Sequence, residues 1–356
     1  MRIEKFTNLY RDVTKEGTKI PQEKYCLTGQ FPIVDQGQRV IAGWWNDDAG
    51  IFKNVPAIIF GDHTRAIKYM EQPFFIGADG VKILRPTNIK DNPKYLYYAL
   101  QAAKIPNLGY SRHFKVVKEL EIRIYSRDEQ NEIVRVLEKI DYLIEQRHAE
   151  TTYLDQLVKS RFIELFGDPV INPKRFPCYT VGEVIDFQGG SQPDKKYFEY
   201  EASPDNIRLI QIRDYKSDKY ITYIPKTMAK RFCTADDIMI GRYGPPIFQI
   251  LKGIEGSFNV ALMKATPKIG NKEFVRQFLK QDCLLEYLEG LSKRTAGQDG
   301  IQMDKLKAYP FPYPPIELQE QFAAFVEQTD KSKLAVQKGL QELEILKKSL
   351  MQQYFG

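Results

Sequence analysis

Metal-binding residues are few in this sequence and lie far apart. Zinc sites need cysteine or histidine ligands in closely spaced pairs. No such pair is present, and the complete set of these residues is Cys26, Cys178, Cys233, Cys283, His63, His113 and His148. We therefore expect no metal ion, and we interpret the cysteines as buried or neutral side chains.

The chain also lacks a long apolar run. No segment approaches the roughly 18 uninterrupted apolar residues of a membrane helix, and the opening MRIEKFTNLYRD has no apolar signal core. With 43% hydrophobic residues, 21 Tyr and 21 Phe among 356 residues, the composition is typical of a folded protein with two or three domains. The sequence thus predicts a cytoplasmic protein that does not associate with membranes.

Motifs for cofactor and nucleotide chemistry are missing as well. A base methyltransferase needs a glycine-rich turn after a strand and a polar residue followed by Pro-Pro-aromatic. The nearest matches, Gly244-Pro245-Pro246-Ile247 and Tyr313-Pro314-Pro315, lack the required flanking residues, and no P-loop is present. We therefore predict a non-catalytic protein without a cofactor.

One enzymatic alternative stays open, a metal-dependent nuclease. Such an enzyme needs two carboxylates and a lysine near one divalent ion. Asp205, Asp214 and Lys216 supply these residue types in order, although residues 209–215 also match a plain strand and its exit turn. Whether the three side chains converge on one point distinguishes the two interpretations.

The most informative feature that is present is an internal repeat. Residues 130–167 align without a gap onto residues 319–356, at a constant offset of 189. The identical pairs are Gln130/Gln319, Glu138/Glu327, Asp141/Asp330, Leu154/Leu343, Leu157/Leu346, Lys159/Lys348, Ser160/Ser349, Phe166/Phe355 and Gly167/Gly356. Apolar residues recur at heptad-like spacing in both segments, which predicts two helices of about 55 Å.

Neither of these helices can bury its apolar stripe alone. We expect the stripes, at 133–165 and 322–350, to pack on each other as an antiparallel coiled coil with approximate two-fold symmetry. The alternative is two unrelated surface helices of similar composition. Each helix follows a larger block, so the predicted boundaries are 1–125, 126–169, 170–315 and 316–356.

The two blocks resemble each other in their pattern. Short strand-like runs at 57–61 and 80–86 correspond to runs at 237–241 and 260–267, and helix-like stretches follow at 93–103 and 272–291. Each block then passes through a polar loop into a last strand. The fold class predicted is α+β, with the order block, helix, block, helix.

Charge separates the blocks from the helices. Lys and Arg exceed Asp and Glu by six in residues 1–125 and by five in 170–315, whereas 126–169 carries a net charge of −4 and 316–356 of −1. Any polyanionic partner is therefore expected to meet the blocks. A scaffold that uses the helices for protein binding and the blocks for another ligand is a third interpretation, which the positive blocks disfavour.

This arrangement resembles the specificity subunit of Type I restriction-modification systems. The resemblance rests on the order of blocks and helices, on PYPPIELQEQF at 312–322 with its partner SRDEQNEI at 126–133, and on GDHTR at 61–65. The first copy lacks the Pro-Pro pair. The resemblance implies two target-recognition domains, two conserved spacer helices, a bipartite double-stranded DNA target, two methyltransferase subunits docked along the helices, and restriction and translocase subunits joined to that core.

Polar residues in glycine-marked loops are the candidate DNA contacts, although each alone is more often a solvated loop residue. In the first block they are Gln36, Gln38, Arg39, His63, Thr64, Arg65, Ser111, Arg112 and His113, together with Asp62, which can also form a structural pair with His63. In the second block they are Gln188, Ser191, Gln192, Lys195, Lys196, Arg213, Tyr215, Arg242, Tyr243, Lys293, Arg294 and Gln298. Arg242 and Asp62 follow corresponding strands, so we expect them to occupy matching positions.

Overall fold

The computed structural model describes residues 1–77, 79–109, 111–243, 247–292 and 300–356. The chain divides into two compact units. The first unit contains residues 1–149 and 336–356, and the second contains residues 150–335. Both long helices contribute residues to both units.

The first unit begins with a mixed series of short strands and helices. Its strands are β1 (Arg2–Lys5), β2 (Tyr10–Asp12), β3 (Phe31–Val34), β4 (Gly43–Trp45), β5 (Ala57–Gly61), β6 (Ile67–Met70), β7 (Phe75–Ile76), β8 (Val81–Pro86) and β9 (Glu121–Ile124). Its helices are α1 (Phe6–Leu9), α2 (Pro93–Ala102), α3 (Phe114–Val117) and the start of α4 (Arg127–Phe166).

These strands form three sheets, with the orders β2-β8-β5-β6, β4-β3-β7 and β1-β9. The largest sheet packs its apolar face against α2 and α4, where Phe60, Leu96 and Leu137 are fully buried. Helix α2 begins where the sequence favours it, because Asn92 accepts hydrogen bonds from the N–H groups of Lys94 and Tyr95 and a proline follows at the first helical position.

The second unit repeats this series. Its strands are β10 (Cys178–Thr180), β11 (Ile185–Gly189), β12 (Asn206–Ile210), β13 (Tyr223–Pro225), β14 (Phe232–Cys233), β15 (Ile238–Gly241), β16 (Gln249–Lys252), β17 (Gly256–Phe258), β18 (Leu262–Pro267) and β19 (Pro310–Pro312). Its helices are the end of α4, α5 (Val181–Val184), α6 (Lys272–Leu279), α7 (Asp282–Ser292), α8 (Met303–Lys307) and the start of α9 (Ile316–Phe355).

The strand pairing of the two units corresponds, except that the second unit adds β14, which pairs with β17. The order β11-β18-β15-β16 corresponds to β2-β8-β5-β6, and β10-β19 corresponds to β1-β9. Strand β12 pairs antiparallel with β13 and parallel with β17, as β3 does with β4 and β7. The α+β fold with duplicated domains and two long helices is therefore confirmed.

The helix-like stretch predicted at 272–291 is two helices, α6 and α7. At the junction, the N–H groups of Lys280 and Gln281 bond to carbonyls three residues back, at Gln277 and Phe278. This tighter turn interrupts the α-helical hydrogen bonds although the apolar spacing continues through it. The apolar pattern alone therefore could not reveal the break.

The long helices pack antiparallel within each unit. In the first unit, Asp141 of α4 forms an ion pair of 2.5 Å with Lys347 of α9, and Arg147 lies beside Gly339. In the second unit, Asp155 pairs with Lys333 at 2.5 Å, and the Phe166 ring packs on Phe322. Residue numbers rise along one helix as they fall along the other, which confirms the predicted antiparallel pairing.

The repeated glutamine has the same role in both units. Gln130 Oε1 accepts a hydrogen bond of 2.7 Å from the N–H of Asn92, and Gln319 Oε1 accepts one of 2.9 Å from the N–H of Asn271. Their amide groups donate to the carbonyls of Tyr125 and Pro314, again an offset of 189. Each buried glutamine thus ties the start of a long helix to the cap of a domain helix. The domain boundaries predicted from the sequence stay a prediction.

Candidate nucleic-acid interface

Three loops of the first unit meet beside the ends of β3 and β5. Gln36, after β3, accepts a hydrogen bond of 3.3 Å at Oε1 from the N–H of His63, and its carbonyl accepts one from the Thr64 hydroxyl. Arg65 donates from Nη1 to the carbonyl of Ile105 at 3.1 Å. The structure therefore brings together the three groups of candidates at 36–39, 62–65 and 111–113.

Asp62 and His113 hold this loop cluster from inside. The buried carboxylate of Asp62 accepts the N–H of Phe114 at 2.7 Å. The imidazole of His113 accepts the N–H of Leu108 at Nε2 (3.1 Å), so its Nδ1 carries the proton and donates to the Asp62 carbonyl at 2.9 Å. Because His113 is fully buried, our prediction of it as a DNA contact needs correction: it positions the loops and does not reach the surface.

The remaining candidates of the first unit lie at or near the surface. Gln38, Arg39, Thr64 and Arg112 are exposed, and Gln36, His63, Arg65 and Ser111 are partly buried. Arg65 has a positive φ of 60°, and its side chain donates a hydrogen bond to the carbonyl of Ile105. Gln38 and Arg65 also line an open groove of about 1010 Å³ whose other walls include Lys104, Lys348 and Phe355.

Arg112 lies close enough to Asp79 to affect the pKa of its carboxyl group. The pKa of Asp79 is lowered mainly by its hydrogen bond and ion pair with Lys19, and the positive charge of Arg112 lowers it further. Asp79 belongs to the segment before β8, so acidic and basic groups are interspersed at this surface. Arg112 is exposed at this surface and Arg39 is exposed in the loop after β3, and both are cations of the kind that bind phosphate backbones.

In the second unit, the corresponding loops are organised around residues 259–261. Arg242 donates its N–H to the Ala261 carbonyl at 2.9 Å and its Nη1 to the Val260 carbonyl at 3.4 Å. Its guanidinium lies 5.2 Å from the centre of the Tyr243 ring. The side chain is thereby held over the loop instead of extending freely into solvent.

Asn259 is a site residue that the sequence analysis missed. It is buried, and its Nδ2 donates to Gln192 Oε1 at 3.3 Å while its Oδ1 accepts the N–H of Ala261 at 3.1 Å. In the sequence it stands beside the apolar run at 260–263, with no turn motif to mark it. Its contact with Ala261 is a local turn bond, but its contact with Gln192, 67 residues away in the sequence, exists only through the fold, so no local pattern indicated that pair.

The other candidates of the second unit have different surroundings. Gln188 lies on β11 and Ser191 in the loop after it, both partly buried, and Lys195 and Lys196 are exposed in a short 3-10 turn. Arg213 donates to the Thr222 hydroxyl at 3.0 Å. The remaining predicted contacts, Lys293, Arg294 and Gln298, lie outside the described residues.

Tyr215 differs from the exposed candidates because its hydroxyl is buried. Among the described side chains this hydroxyl has no hydrogen-bond partner, and burial raises the pKa of Tyr215. Tyr243 is in contrast about half exposed and forms a backbone bridge with Gly300. Tyr243 is therefore better placed than Tyr215 to contact a ligand.

The expected match between Asp62 and Arg242 is present in the backbone. The N–H of Asp62 donates to the carbonyl of Gly80 at 2.7 Å, as Arg242 donates to Ala261. The side chains diverge, because Asp62 is buried while Arg242 is partly exposed. The matching positions thus carry one internal and one surface side chain.

The nuclease alternative depended on Asp205, Asp214 and Lys216. Asp205 precedes β12 and the other two follow it, and a five-residue strand spans about 16 Å. Asp214 is buried, accepts the N–H of Gln211 at 3.1 Å and lies 3.7 Å from the Arg208 guanidinium; burial raises its pKa. Since Asp205 lies at the opposite end of the strand, these side chains do not converge on one point.

Neither a cluster of metal ligands nor a membrane-spanning helix is found in the described ranges. Within those ranges, no three His, Cys, Asp or Glu side chains are grouped as ligands for a metal ion. None of the helices described has the length together with the apolar character needed to span a bilayer.

Comparison with known proteins identifies one family. Residues 10–153 and 173–345 match the model of the Type I restriction modification DNA specificity domain. The chain is 24% identical over 315 residues to the putative type I restriction enzyme MjaX specificity subunit of Methanocaldococcus jannaschii, covering 78% of this chain and 71% of the relative. It is 23% identical over 323 residues to the MjaVIII specificity subunit of the same organism, covering 78% and 74%.

A solved structure shares the fold. The crystal structure of the Type I restriction-modification system S subunit from M. genitalium superposes with a TM-score of 0.59 at 17% identity. The match covers 100% of this chain and 96% of the other. At this identity, the likeness concerns the fold alone.

Proposed function

Because the chain belongs to the Type I restriction-modification DNA specificity family, we propose that it is the non-catalytic subunit that reads a bipartite double-stranded DNA target. Each unit reads one half of the target through its loop cluster. Such a target implies that the protein acts in the cytoplasm.

The observation that carries this proposal is a duplicated backbone with different surface side chains. Equivalent hydrogen bonds fix the strand ends at Asp62 and Arg242, and the loops there carry Gln36 and Thr64 in one unit and Gln192 and Tyr243 in the other. Readers of two unlike half-sites need a common scaffold and different polar groups on it.

Charge supports the same proposal. The net charge is +6 in residues 1–125 and +5 in 170–315, while the long helices are acidic. Exposed cations such as Arg39, Arg112, Lys195 and Lys196 can bind phosphates, which fix the register of a protein on a duplex without reading its sequence.

The long helices offer surfaces for the catalytic partners. In the first unit, Tyr142 and Ile345 are 59% and 68% exposed, and in the second unit Tyr153 is 67% exposed. Large exposed apolar side chains on helices often mark protein-binding surfaces. We propose that two methyltransferase subunits dock here and that restriction and translocase subunits join through them.

Exchange of one domain tests the proposed function. Residues 170–315 are replaced by the corresponding block of another family member, and the modified chain is expressed with its methyltransferase for methylome sequencing. We expect one half of the methylated motif to change and the other to persist. Exchange of residues 1–125 is the matched control and should alter the other half; a single exchange that altered both halves would contradict the proposal.

A further inference from the structure

Residues 259–261 fix the orientation of a side-chain amide at the surface of the second unit. The N–H of Ala261 can only donate, so the Asn259 atom that it meets at 3.1 Å is the carbonyl oxygen Oδ1. The other end of the Asn259 side chain is then the amide nitrogen, which donates to Gln192 at 3.3 Å. The Gln192 atom in this contact is therefore the oxygen Oε1.

This chain of hydrogen bonds determines what Gln192 can present to a ligand. Its carbonyl oxygen faces Asn259, which leaves the Nε2 amide as the group available to a partner. Gln192 is partly exposed and Asn259 is buried, so the ligand side of the pair is Gln192. Glutamine recognises adenine with both its carbonyl oxygen and its amide NH₂ group. In this arrangement Gln192 offers the ligand only the NH₂ donors.

Arg242 adds further hydrogen-bond donors beside the same segment, residues 259–261. Its N–H and Nη1 bond to the carbonyls of Ala261 and Val260, and a guanidinium has no acceptor. Gln192 and Arg242 thus form a surface of hydrogen-bond donors supported by residues 259–261. In the major groove, guanine is the base that presents two acceptors, N7 and O6, with no donor.

We propose that Asn259 is a positioning residue that sets Gln192 as a donor, so that Gln192 and Arg242 read a guanine in the half-site of the second unit. This inference rests on the proposed function. Gly77 of the first unit occupies the position of Asn259. The N–H of Gly77 donates to the carbonyl of Val34 at the end of β3, as the N–H of Asn259 donates to the carbonyl of Ile210 at the end of β12. Its Gln36 is oriented by a backbone N–H instead, so changes at Asn259 leave it untouched.

Asn259→Asp is the principal test. An aspartate keeps an oxygen for the Ala261 N–H, and its second oxygen can only accept. Gln192 must then rotate its amide to bring Nε2 to the aspartate, which turns Oε1 toward the DNA. We expect the preference for guanine over cytosine or adenine at one base pair to fall by about tenfold or more, because those bases offer a donor.

Gln192→Glu provides an independent second variant at a partly exposed position. One glutamate oxygen accepts from Asn259, and the other faces the DNA as an acceptor. The same base pair should respond as in Asn259→Asp. Gln281→Glu adds the same charge to the second unit outside these contacts, and should weaken binding evenly across sequences, if at all.

The measurement uses the full chain. Selection from randomised duplexes defines the wild-type target, and competition with duplexes substituted at each position then gives the preference of every variant. Converging changes at a single guanine in the second half-site support the inference. A uniform change in both variants, or changes at different base pairs, would overturn it, whereas a wild-type chain that selects no sequence would instead overturn the proposed function.

Discussion

The two units share their backbone pairing and differ in what the matched positions do. Asp62 and Arg242 make the same backbone hydrogen bond at the end of matching strands, yet Asp62 is buried and Arg242 lies at the surface. Gly77 and Asn259 are likewise matched, and only the second has a side chain to orient a neighbour. A repeated frame therefore does not imply repeated roles.

The repeated helices show the same divergence at their ends. Phe166 is 4% exposed and packs against Phe162, Phe274 and Phe322 of the second unit. Its counterpart Phe355 is partly buried and packs on Tyr95 of the first unit, with the ring centres 5.3 Å apart. The identical residue thus contributes different amounts of buried surface.

Replacing Phe166 and Phe355 should give the largest difference between the units in loss of stability. Phe166→Ala is expected to destabilise the second unit by about 3–5 kcal/mol, because it removes a buried ring from an aromatic cluster. Phe355→Ala should cost the first unit about 1–2 kcal/mol, since less surface is lost. Native-state hydrogen exchange measures the stability of each unit separately. Equal losses of stability in the two variants would show that the two phenylalanines contribute equally.

Replacing Asp62 should affect mainly stability, and replacing Arg242 should affect mainly DNA binding. Asp62→Ala leaves the buried N–H of Phe114 unpaired and should destabilise the first unit by about 1–3 kcal/mol. Arg242→Ala should leave the stability of the second unit nearly unchanged and weaken cognate DNA binding by about 1–3 kcal/mol, with relaxed preference at one base pair.

Affinities for cognate and substituted duplexes at two salt concentrations check the Arg242 prediction. If Arg242 binds only phosphate, affinity falls evenly across sequences and the salt slope decreases by about one. Unchanged affinity would remove Arg242 from the interface.

The repeated glutamines Gln130 and Gln319 should have similar effects on their own units. Gln130→Ala and Gln319→Ala each leave a partly buried backbone N–H without its side-chain partner, at Asn92 or Asn271, and should cost about 1–3 kcal/mol. Gln130 has the larger expected effect because its amide also donates to Asp91 at 3.1 Å. Glutamate at either position keeps the acceptor but loses the donor, and it places a buried carboxylate against the Asp91 carboxylate or the Pro314 carbonyl, so it should not recover the loss. Hydrogen exchange in each unit measures this, and a negligible effect of both alanine variants would show that these bonds are dispensable.

Elements with strong local patterns were predictable from the sequence. The long helices follow from apolar periodicity, and Gly61 and Gly241 mark the ends of β5 and β15. The segment 209–215 was less clear: β12 ends at Ile210, and a 3-10 turn over Ile212–Tyr215 follows, because Asp214 accepts the N–H of Gln211. A side-chain hydrogen bond, invisible to periodicity, ends that strand.

The candidate site depended on long-range contacts that no local pattern contains. The polar segments were recognisable in the sequence, but the meeting of the loops in the first unit depends on hydrogen bonds that Gln36 accepts from residues 63 and 64. His113 is a polar residue next to a predicted loop, as expected of a DNA contact. It is instead buried and hydrogen-bonded to Asp62 and Leu108. Burial separates a supporting residue from a surface one, and burial is a property of the fold.

The smallest expected difference concerns how the two long helices begin. Ser126 caps α4: its hydroxyl accepts the N–H of Glu129, and the Glu129 carboxylate accepts from the hydroxyl and N–H of Ser126 at 2.7 and 2.9 Å. The repeat has Pro315 and Leu318 at these positions, so α9 begins without such a pair. Ser126→Ala should destabilise the first unit by about 0.5–2 kcal/mol, whereas Pro315→Ala removes no cap of this kind.

The stabilisation from the Ser126 cap should depend on pH through Glu129. The hydrogen bond from Ser126 lowers the pKa of Glu129 from its ordinary value of 4.5, so the folded state favours the charged carboxylate. The resulting stabilisation is fully present above the ordinary pKa and is lost as the pH falls through the lowered folded value. Glu129→Gln should abolish this dependence, and Leu318→Gln, the matched change in α9, should not alter it. Hydrogen exchange of the first unit between neutral and acidic pH checks the prediction, and an acid response that persists unchanged in Glu129→Gln would assign it to other carboxylates.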